Sequence, residues 1–203
     1  MKPSTKLIRK TIRDNRRALT PDAQLSAAKQ LLTRFIQLPE VINAKSVALY
    51  LSVDGEIDTT ILIEWLWSHN KEVYLPVLHP FNPGNLLFLR YLPDTEMRLN
   101  KYNIKEPHLN VLSVIPTQEI DLICAPLVAF DAQGNRLGMG GGYYDRTLSI
   151  WHQKKQGPKP VGLAHDCQQT QSIPVESWDV PLPHILTPSK HWHWPSLLLN
   201  SNK

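Results

Sequence analysis

The sequence predicts an α/β protein in which a layered sheet is flanked by helices. Short apolar runs at residues 47–51 and 122–125 have the length and composition of buried strands, and they alternate with segments of helical periodicity. Hydrophobic residues make up 42% and charged residues 20% of the 203 residues, which is the composition of an ordinary globular protein. We therefore expect a single domain over residues 1–203.

The first helix is predicted over residues 4–19. At about 100° per residue, a helix here gathers basic side chains in one sector and small or apolar side chains in the opposite one. The basic sector contains Lys2, Lys6, Arg9, Lys10, Arg13 and Arg17, and the opposite sector contains Leu7, Ile8, Thr11, Ile12, Ala18 and Leu19.

A second helix follows after a short turn. Thr20 is expected as its N-cap, with Pro21 at the first helical position. We expect this helix to bury Leu25, Ala28, Leu31, Leu32, Phe35 and Ile36, and to end before Pro39.

The middle of the chain alternates strands, turns and helices. Further strands are predicted at residues 72–78, 86–92, 127–130 and 161–164, with turns at residues 54–55 and 80–84. Asp58 is expected to cap a helix that runs through Trp67, and another helix is expected from about Tyr143 to Trp151. The segment after Pro188 shows no strong pattern.

The basic charge of the chain is concentrated in the first helix. Residues 1–17 contain seven basic side chains and one acidic side chain, whereas the remainder contains 15 basic and 17 acidic residues. A nucleic-acid-binding protein usually spreads its basic residues over a folded face, so a general nucleic-acid coat is disfavoured. The basic sector can be interpreted as a phosphate-facing surface, as a solvated face, or as a transit or membrane-surface helix.

Two protein classes are excluded by simple counts. No window approaches the roughly 18 consecutive apolar residues of a transmembrane span. Two cysteines, Cys124 and Cys167, are too few for a disulfide scaffold or a cysteine-rich zinc site. Cys124 lies in an apolar run and is expected to be a core thiol.

The densest motif is a glycine-rich run between a predicted strand and a predicted helix. It reads Arg136-Leu137-Gly138-Met139-Gly140-Gly141-Gly142-Tyr143-Tyr144-Asp145 and holds four of the nine glycines. Glycine lets the backbone approach a ligand closely, and successive N–H groups at a helix N-terminus form a cradle for an anion. The run matches neither the Walker A pattern nor the dinucleotide-binding pattern. We expect Arg136 to bind phosphate and Asp145 to hold a magnesium ion.

This run resembles the signature of the 5-formyltetrahydrofolate cyclo-ligases, also called methenyltetrahydrofolate synthetases. The resemblance extends over most of the chain, and it is carried by residues 6–9, 16–21, 51–59, 102–107, 121–123 and 178–179. Four positions before Arg9, where the family often has lysine, this sequence has Thr5, and Lys6 follows one step closer. Shortly after the late Trp178-Asp179 pair, where many members have a further acidic residue, this sequence has Pro-Leu-Pro at 181–183.

The resemblance implies a fold similar to that of the ribose-phosphate isomerase and CoA-transferase group. It also implies a cytoplasmic enzyme, expected to be a monomer, that uses ATP and Mg²⁺ to convert 5-formyltetrahydrofolate to 5,10-methenyltetrahydrofolate with release of ADP and phosphate. The formyl oxygen is expected to be phosphorylated on the way. The partner that it implies is a reduced folate, with no nucleic acid and no membrane.

Site residues follow from the resemblance position by position. The implied catalytic residues are Arg136, Tyr144 and Asp145, and the implied metal ligands are Asp145 and Asp179. The implied ATP-binding residues are Lys6, Arg9, Arg136, Leu137, Gly138, Met139, Gly140, Gly141, Gly142, Tyr143 and Tyr144. The implied folate-binding residues are Leu51, Glu56, Tyr102 and Tyr144.

Other functions and sites stay open at this point. A sugar-phosphate isomerase or CoA-handling enzyme on a similar fold would bind phosphate in the glycine loop without ATP turnover. An RNA-associated protein would use the basic helix. The run His165-Asp166-Cys167 could support Cys–His nucleophilic chemistry, although no third orienting group is evident. His191 and His193 could bind a metal ion adventitiously.

Overall fold

The structure, a computed structural model, describes residues 4–199. Lys2, which the sequence places in the basic sector, lies outside the described residues. The α-helices are α1 (Thr5–Arg17), α2 (Pro21–Phe35), α3 (Pro39–Asn43), α4 (Thr60–Ser68) and α5 (Tyr143–Lys154). The strands are β1 (Ser46–Ala48), β2 (Glu72–Leu78), β3 (Leu86–Arg90), β4 (Met97–Leu99), β5 (Lys105–Pro107), β6 (Val114–Ile115), β7 (Leu122–Pro126), β8 (Ala129–Phe130), β9 (Arg136–Leu137), β10 (Lys159–Leu163), β11 (His184–Leu186) and β12 (His191–His193).

Eight strands form a central sheet in the order β12-β11-β10-β7-β1-β2-β3-β6. The five inner strands from β11 to β2 run parallel to one another. Antiparallel strands close both edges, with β12 beside β11 and with β3 and β6 beyond β2. The remaining strands pair two by two outside this sheet, β4 with β5 and β8 with β9.

The sheet is covered on both faces, as its apolar runs require. Alternate residues of β7 point to opposite sides, so that Cys124 packs in the cluster under α2 and α4 while Ile123 packs in the cluster under α5. Phe35 of α2 and Trp151 of α5 are buried in these two clusters. Burial of each such side chain stabilises the fold by about 1.5–3 kcal/mol. The predicted layered α/β architecture is confirmed.

The first helix packs on the β8–β9 pair. Its buried residues Ile8 and Ile12 form a small cluster with Val128, Ala129 and Leu137 of that region. Ser4 caps the helix by accepting a hydrogen bond from the N–H of Leu7 at 3.3 Å. This packing fixes the basic residues of α1 beside the segment that follows β9.

Several boundaries and faces differ from the sequence prediction. The strand predicted at 47–51 is only the three residues of β1, because the chain leaves the sheet early to form the loop of residues 51–59. Helix α2 ends at Phe35, before Pro39 as predicted, and Pro39 begins the further helix α3, since proline suits the first helical position. Leu25 was expected to be buried, but it is about half exposed, at 51%.

Most other predictions are confirmed at the level of single residues. Thr20 caps α2 through a hydrogen bond from the N–H of Ala23, with Pro21 at the first turn. The N-cap residue of α4 is Thr59 and not the predicted Asp58, which lies one residue earlier and accepts from the N–H of Thr60 at 2.9 Å. The strand predicted at 72–78 has the bounds of β2. No helix within residues 4–199 is long and apolar enough to cross a membrane.

Candidate active site

The candidate site lies at the carboxyl edge of the parallel strands, where ligands bind in open α/β sheets. The loop of residues 51–59 follows β1 and the glycine loop of residues 138–142 follows β9, while His165 comes just after β10. Helix α1 packs against the same region from the side. Four segments that are distant in sequence therefore meet at one edge of the sheet.

The glycine loop depends on backbone conformations that other residues rarely adopt. Gly140 has φ +97° and Gly142 has φ +66°, both in the left-handed half of the map. Gly142 is also the N-cap residue of α5, so the loop leads directly into a helix N-terminus. Unpaired N–H groups at such an end favour an anion.

Arg9 links the first helix to this loop. Its Nε donates to the carbonyl oxygen of Gly138 at 2.8 Å, across 129 residues of sequence. Its guanidinium also lies 3.6 Å from the point that a side chain at Gly140 would occupy. Lys6, about one turn earlier, is exposed to solvent. Arg9 thus brings the basic sector into contact with the glycine loop.

Arg136 and Asp145 form an ion pair with each other. Nη2 of Arg136 donates to Oδ1 of Asp145 at 2.6 Å, and the Arg136 side chain is only 3% exposed. The same Asp145 oxygen accepts from the N–H of Val180 at 3.2 Å. Among the described residues, Nε of Arg136 is buried without a hydrogen-bond partner. A buried N–H donor without an acceptor is costly, so this side chain is suited to receive an anionic oxygen of a ligand.

Desolvation dominates the electrostatics around Arg136. Burial lowers its pKa, and the nearby carboxylates of Asp145 and Asp179 act in the opposite direction. Asp179 accepts from the N–H of Glu176 at 2.9 Å. The two predicted metal ligands therefore both lie within electrostatic range of the predicted phosphate ligand. No cluster of three or more metal-ligating side chains is present within residues 4–199.

Asp54 forms hydrogen bonds with the three other arginines of α1. Its carboxylate accepts from Nε of Arg13 at 2.6 Å, from Nη2 of Arg16 at 2.9 Å, and from Arg17. Asp54 has φ 55°, a left-handed conformation that Asp tolerates in turns. The basic sector is therefore divided, since Arg9 faces the glycine loop while Arg13 and Arg17, together with Arg16 from outside the sector, hold the loop after β1.

Glu56 is buried beside this cluster, and it is not a surface loop acid. Its side chain is 11% exposed and lies 4.0 Å from Nη1 of Arg16. One carboxylate oxygen accepts from the N–H of Val53 at 3.1 Å. Desolvation raises the pKa of Glu56 to about 7, against the opposing effect of Arg16. The carboxyl group is thus partly protonated near neutral pH and is available to a ligand in the cleft.

Comparison with known proteins places this geometry in a family. The sequence model of the 5-formyltetrahydrofolate cyclo-ligase family matches residues 1–188. The chain belongs to this family. It is 55% identical to the 5-formyltetrahydrofolate cyclo-ligase of Escherichia coli K12, with 90% of this chain and 100% of the relative covered. It is equally identical, at 55%, to that of Haemophilus influenzae, with 88% and 95% covered.

A solved structure supports the same placement. The NMR structure of the Aquifex aeolicus 5,10-methenyltetrahydrofolate synthetase superimposes with a TM-score of 0.78 at 28% identity, covering 98% of this chain and 95% of that one. These matches favour neither a sugar-phosphate isomerase or CoA-handling enzyme nor an RNA-associated protein.

Two tyrosines bridge the cleft of this cyclo-ligase family member. The hydroxyl groups of Tyr102 and Tyr143 lie 3.1 Å apart, and their rings meet edge to face at 6.4 Å. Tyr102 lies on the segment between β4 and β5, whereas Tyr143 begins α5. Tyr144 points toward the core, and burial together with the Glu56 carboxylate raises its pKa well above the ordinary value. Its phenol is therefore neutral.

The other predicted site residues lie near the cleft in different settings. Leu51 is half-buried against the core under α2 and α4. Leu137 is buried in β9, while Met139 on the glycine loop is 56% exposed. Leu51 and Met139 thus offer apolar surface at two points of the same edge, whereas Leu137 anchors the loop.

The rival sites do not assemble. His165 is buried, with its pKa lowered by desolvation to about 4, and the pKa of Cys167 is raised by burial. A thiol with a raised pKa is a poor nucleophile at neutral pH. Cys124 is fully buried and burial raises its pKa, as expected of a core thiol. The rings of His191 and His193 stack at 5.8 Å and 21°, and they belong to no group of three or more metal-ligating side chains within residues 4–199.

Arg146 and Asp54 are the residues that sequence reasoning missed. Nε of Arg146 donates to the carbonyl oxygen of Gly84 at 2.6 Å, and its Nη2 donates to that of Gly141. The side chain thereby ties the glycine loop to the turn between β2 and β3. The sequence carried a signal for this role, because Arg146 lies in the first turns of α5, four residues after the last glycine of the loop, and such loops need a side chain that holds them in place.

Proposed function

We propose that this protein closes 5-formyltetrahydrofolate to 5,10-methenyltetrahydrofolate with ATP, releasing ADP and phosphate. One observation carries the proposal. The glycine loop, bounded by Arg136 and contacted by Arg9, lies at the same sheet edge as the buried carboxyl group of Glu56. Donors for a triphosphate and an acceptor for ring N–H groups are thus supplied at one cleft.

The chemistry explains why such an enzyme needs positioning more than a nucleophile. A formamide is a poor electrophile, and direct cyclisation would have to expel oxide or hydroxide. Transfer of the γ-phosphoryl group of ATP to the formyl oxygen creates a phosphate leaving group. The neighbouring folate nitrogen then attacks the formyl carbon, its proton is lost, and phosphate departs with the former formyl oxygen. Such phosphoryl transfer depends on orientation and on neutralisation of charge.

The nucleotide side is assigned to the glycine loop and α1. The backbone N–H groups of residues 138–142 and the N-terminus of α5 receive phosphate oxygens, because both present unpaired donors. Arg9 and Lys6 add positive charge from the helix. The unpartnered Nε of Arg136 accommodates one further anionic oxygen. Tyr143 and Met139 border the nucleotide.

The folate side is assigned to the loop after β1 and to the tyrosines. Glu56 accepts N–H groups of the pterin, and Leu51 contacts the ring. Tyr102 and Tyr144 supply flat surfaces for stacking. The electrostatic effect of Glu56 on Tyr144, which lies on α5, supports a folate side next to that helix.

Magnesium is assigned to Asp145 and Asp179, together with the ATP phosphates. Mg²⁺ uses one or two carboxylates with phosphates and water, so it requires no cluster of three protein ligands. Only Oδ1 of Asp145 engages in the bonds to Arg136 and Val180, which leaves its second oxygen for a cation. When bound, the ion would neutralise the phosphate charge that develops during transfer.

The proposal also covers the compartment, the oligomeric state and the partners of the protein. We assign the protein to the cytoplasm as a single-domain monomer that binds neither nucleic acid nor membranes. The internal use of Arg13 and Arg16 within the fold supports the absence of nucleic-acid binding, because both side chains are engaged by the Asp54 carboxylate. Sedimentation of the purified protein tests the monomer, and salt-dependent RNA binding would contradict the assignment.

The decisive experiment is a direct assay of turnover. Purified protein is mixed with 5-formyltetrahydrofolate, and the absorbance of the methenyl product is followed with and without ATP and Mg²⁺. Product formation should require both, with one ADP released for each folate converted. Absence of product under all conditions would refute the proposed function.

A further inference from the structure

Arg16 is the largest charged side chain that the fold buries completely. Its exposed fraction is 0%, and its donors are engaged by backbone and carboxylate oxygens. Nε donates to the carbonyl oxygen of Asp54 at 2.9 Å, and Nη2 donates to the Asp54 carboxylate at 2.9 Å. Nη1 donates to the carbonyl oxygen of Leu127 at 3.4 Å. A buried guanidinium persists only with such partners, so its position is tightly fixed.

The same Nη1 also faces Glu56, the residue that we propose to bind folate. It lies 4.0 Å from Oε1 of Glu56, too far for a hydrogen bond but close enough for a strong electrostatic effect in a desolvated place. Arg16 therefore stands between two acids of one loop, bonding Asp54 directly and acting on Glu56 through space. The loop backbone is held as well, because Gln24 donates to the carbonyl oxygens of both Arg16 and Gly55.

We propose that Arg16 is a positioning residue for folate binding, which keeps the Glu56 carboxyl group in the place and charge state that receive the pterin. The inference rests on the proposed function, in which Glu56 contacts folate. It adds a residue that reaches the substrate only through another side chain. It also gives Arg16 a role different from that of Arg9 on the same helix.

The other groups that face Glu56 are neutral or negatively charged, so Arg16 is its cationic neighbour. Tyr50 follows β1 and Tyr144 lies on α5, and burial raises the pKa of both phenols, so both are neutral. His165, which approaches the backbone of Glu56, has its pKa lowered to about 4 and is neutral at pH 7. Asp54 adds negative charge and opposes ionisation of Glu56.

The main test compares Arg16→Met with Arg16→Lys in the full-length protein. Arg16→Met keeps the length of the side chain but removes its charge. We expect the KM and the Kd for 5-formyltetrahydrofolate to rise about tenfold or more, with the KM for ATP little changed. The acid limb of kcat/KM for folate should move to higher pH, because the cation that favours the ionised carboxylate is gone. Arg16→Lys should restore much of both properties.

Arg17→Met is the matched control. Arg17 contacts the same Asp54 carboxylate, but its side chain is 51% exposed, whereas the ion-pair distance to Glu56 belongs to Arg16. Replacement of Arg17 should change the folate KM and the acid limb far less than Arg16→Met does, because an exposed ion pair contributes little. An effect of Arg17→Met equal to that of Arg16→Met would overturn the proposal, as would equal increases in the KM values for folate and ATP.

A second variant covers the case in which Arg16→Met does not fold. Asp54→Asn removes a negative charge beside Glu56 while Arg16 stays in the chain, so the acid limb should move to lower pH, opposite to the expected shift for Arg16→Met. A general loosening of the loop would not reverse the sign. An unmoved limb in Asp54→Asn, with wild-type protein fully active, would overturn the role of Arg16. Absence of turnover in the wild type would instead contradict the proposed function.

Discussion

Nε of Arg9 donates to the carbonyl oxygen of Gly138 at 2.8 Å, joining the first helix to the start of the glycine loop. The bond uses one edge of the guanidinium. The terminal nitrogens remain near Gly140, where Nη2 lies 3.6 Å from the position that a side chain at residue 140 would occupy. An arginine held in this way can contact phosphate without first losing the conformational entropy of a free surface side chain.

Replacing Arg9 with alanine should therefore raise the KM for ATP much more than the KM for folate. Loss of a charge-assisted contact costs about 1.5–3 kcal/mol, or roughly 10- to 150-fold. Lys10→Ala is the matched control, because Lys10 is the exposed neighbour on the same helix. Steady-state kinetics with varied ATP measure both. Equal small effects would mean that Arg9 serves only to hold the loop.

Replacing Gly140 with valine should abolish ATP binding while the fold is retained. The φ of +97° at Gly140 is unfavourable for a β-branched residue, and the new side chain would project toward Arg9. Calorimetric titration with ATP measures the affinity, and circular dichroism checks the fold. Unchanged affinity in a folded Gly140→Val protein would remove the loop from the nucleotide site.

Glu56 should make the stability of the protein depend on pH. Its pKa in the folded state is about 7, above the ordinary value of 4.5, so the folded state binds this proton more tightly than the unfolded state. The associated stability is present below about pH 4.5 and is lost as pH rises through 7, with a total on the order of 3 kcal/mol.

Glu56→Gln should remove this dependence and should also weaken folate binding without weakening ATP binding. Urea unfolding of both proteins from pH 4.5 to 8 measures the difference. Parallel stability curves would show that the Glu56 carboxyl group is solvated in the folded protein. A loss confined to ATP binding would move Glu56 to the nucleotide side.

Asp145→Asn should cut turnover by orders of magnitude and raise the Mg²⁺ concentration needed for half-maximal activity. The substitution also weakens the ion pair with Arg136, whose side chain is 3% exposed, so some loss of stability is expected. Titration of Mg²⁺ at saturating ATP separates the two effects. A destabilised variant whose Mg²⁺ curve superimposes on that of the wild type would leave Asp145 as the partner of Arg136 alone.

Arg146→Ala should raise the KM for ATP several-fold, about the effect of losing one or two hydrogen bonds that hold the glycine loop. The change frees the carbonyl oxygens of Gly84 and Gly141. Arg90→Ala is a suitable control, since Arg90 forms a surface ion pair with Glu72 on the neighbouring strand. If both variants bind ATP like the wild type, the link between the loop and the β2–β3 turn has no role in binding.

The sequence predicted the elements whose signals are local. The bounds of β2, the cap of α2 at Thr20 and the glycine loop all follow from neighbouring residues. The three-residue strands β11 and β12 were missed, because so short a segment carries almost no periodicity. Their polar residues His184 and His191 also resemble a loop.

The partners of charged residues could not be predicted, because they are distant in sequence. Asp54 bonds arginines that precede it by 37 to 41 positions, and Arg146 reaches Gly84 across 62. Counting charges on a helical wheel made α1 a single basic face. Folding divides that face, since Arg9 bonds the glycine loop while Arg13 and Arg17 bond Asp54. Arg16, outside the predicted sector, is buried beside them.

The edge strand β12 lies beyond residue 188, where the match to the family ends, and it pairs antiparallel with β11. Every residue of β11 is buried, so its outer row of N–H and C=O groups would be a template for another chain if β12 were absent. Strand β12 is short, it carries His191 and His193 at its exposed positions, and Lys190 precedes it. Such a strand is a poor template for further pairing. The C-terminal segment thus protects the parallel sheet from edge-to-edge aggregation.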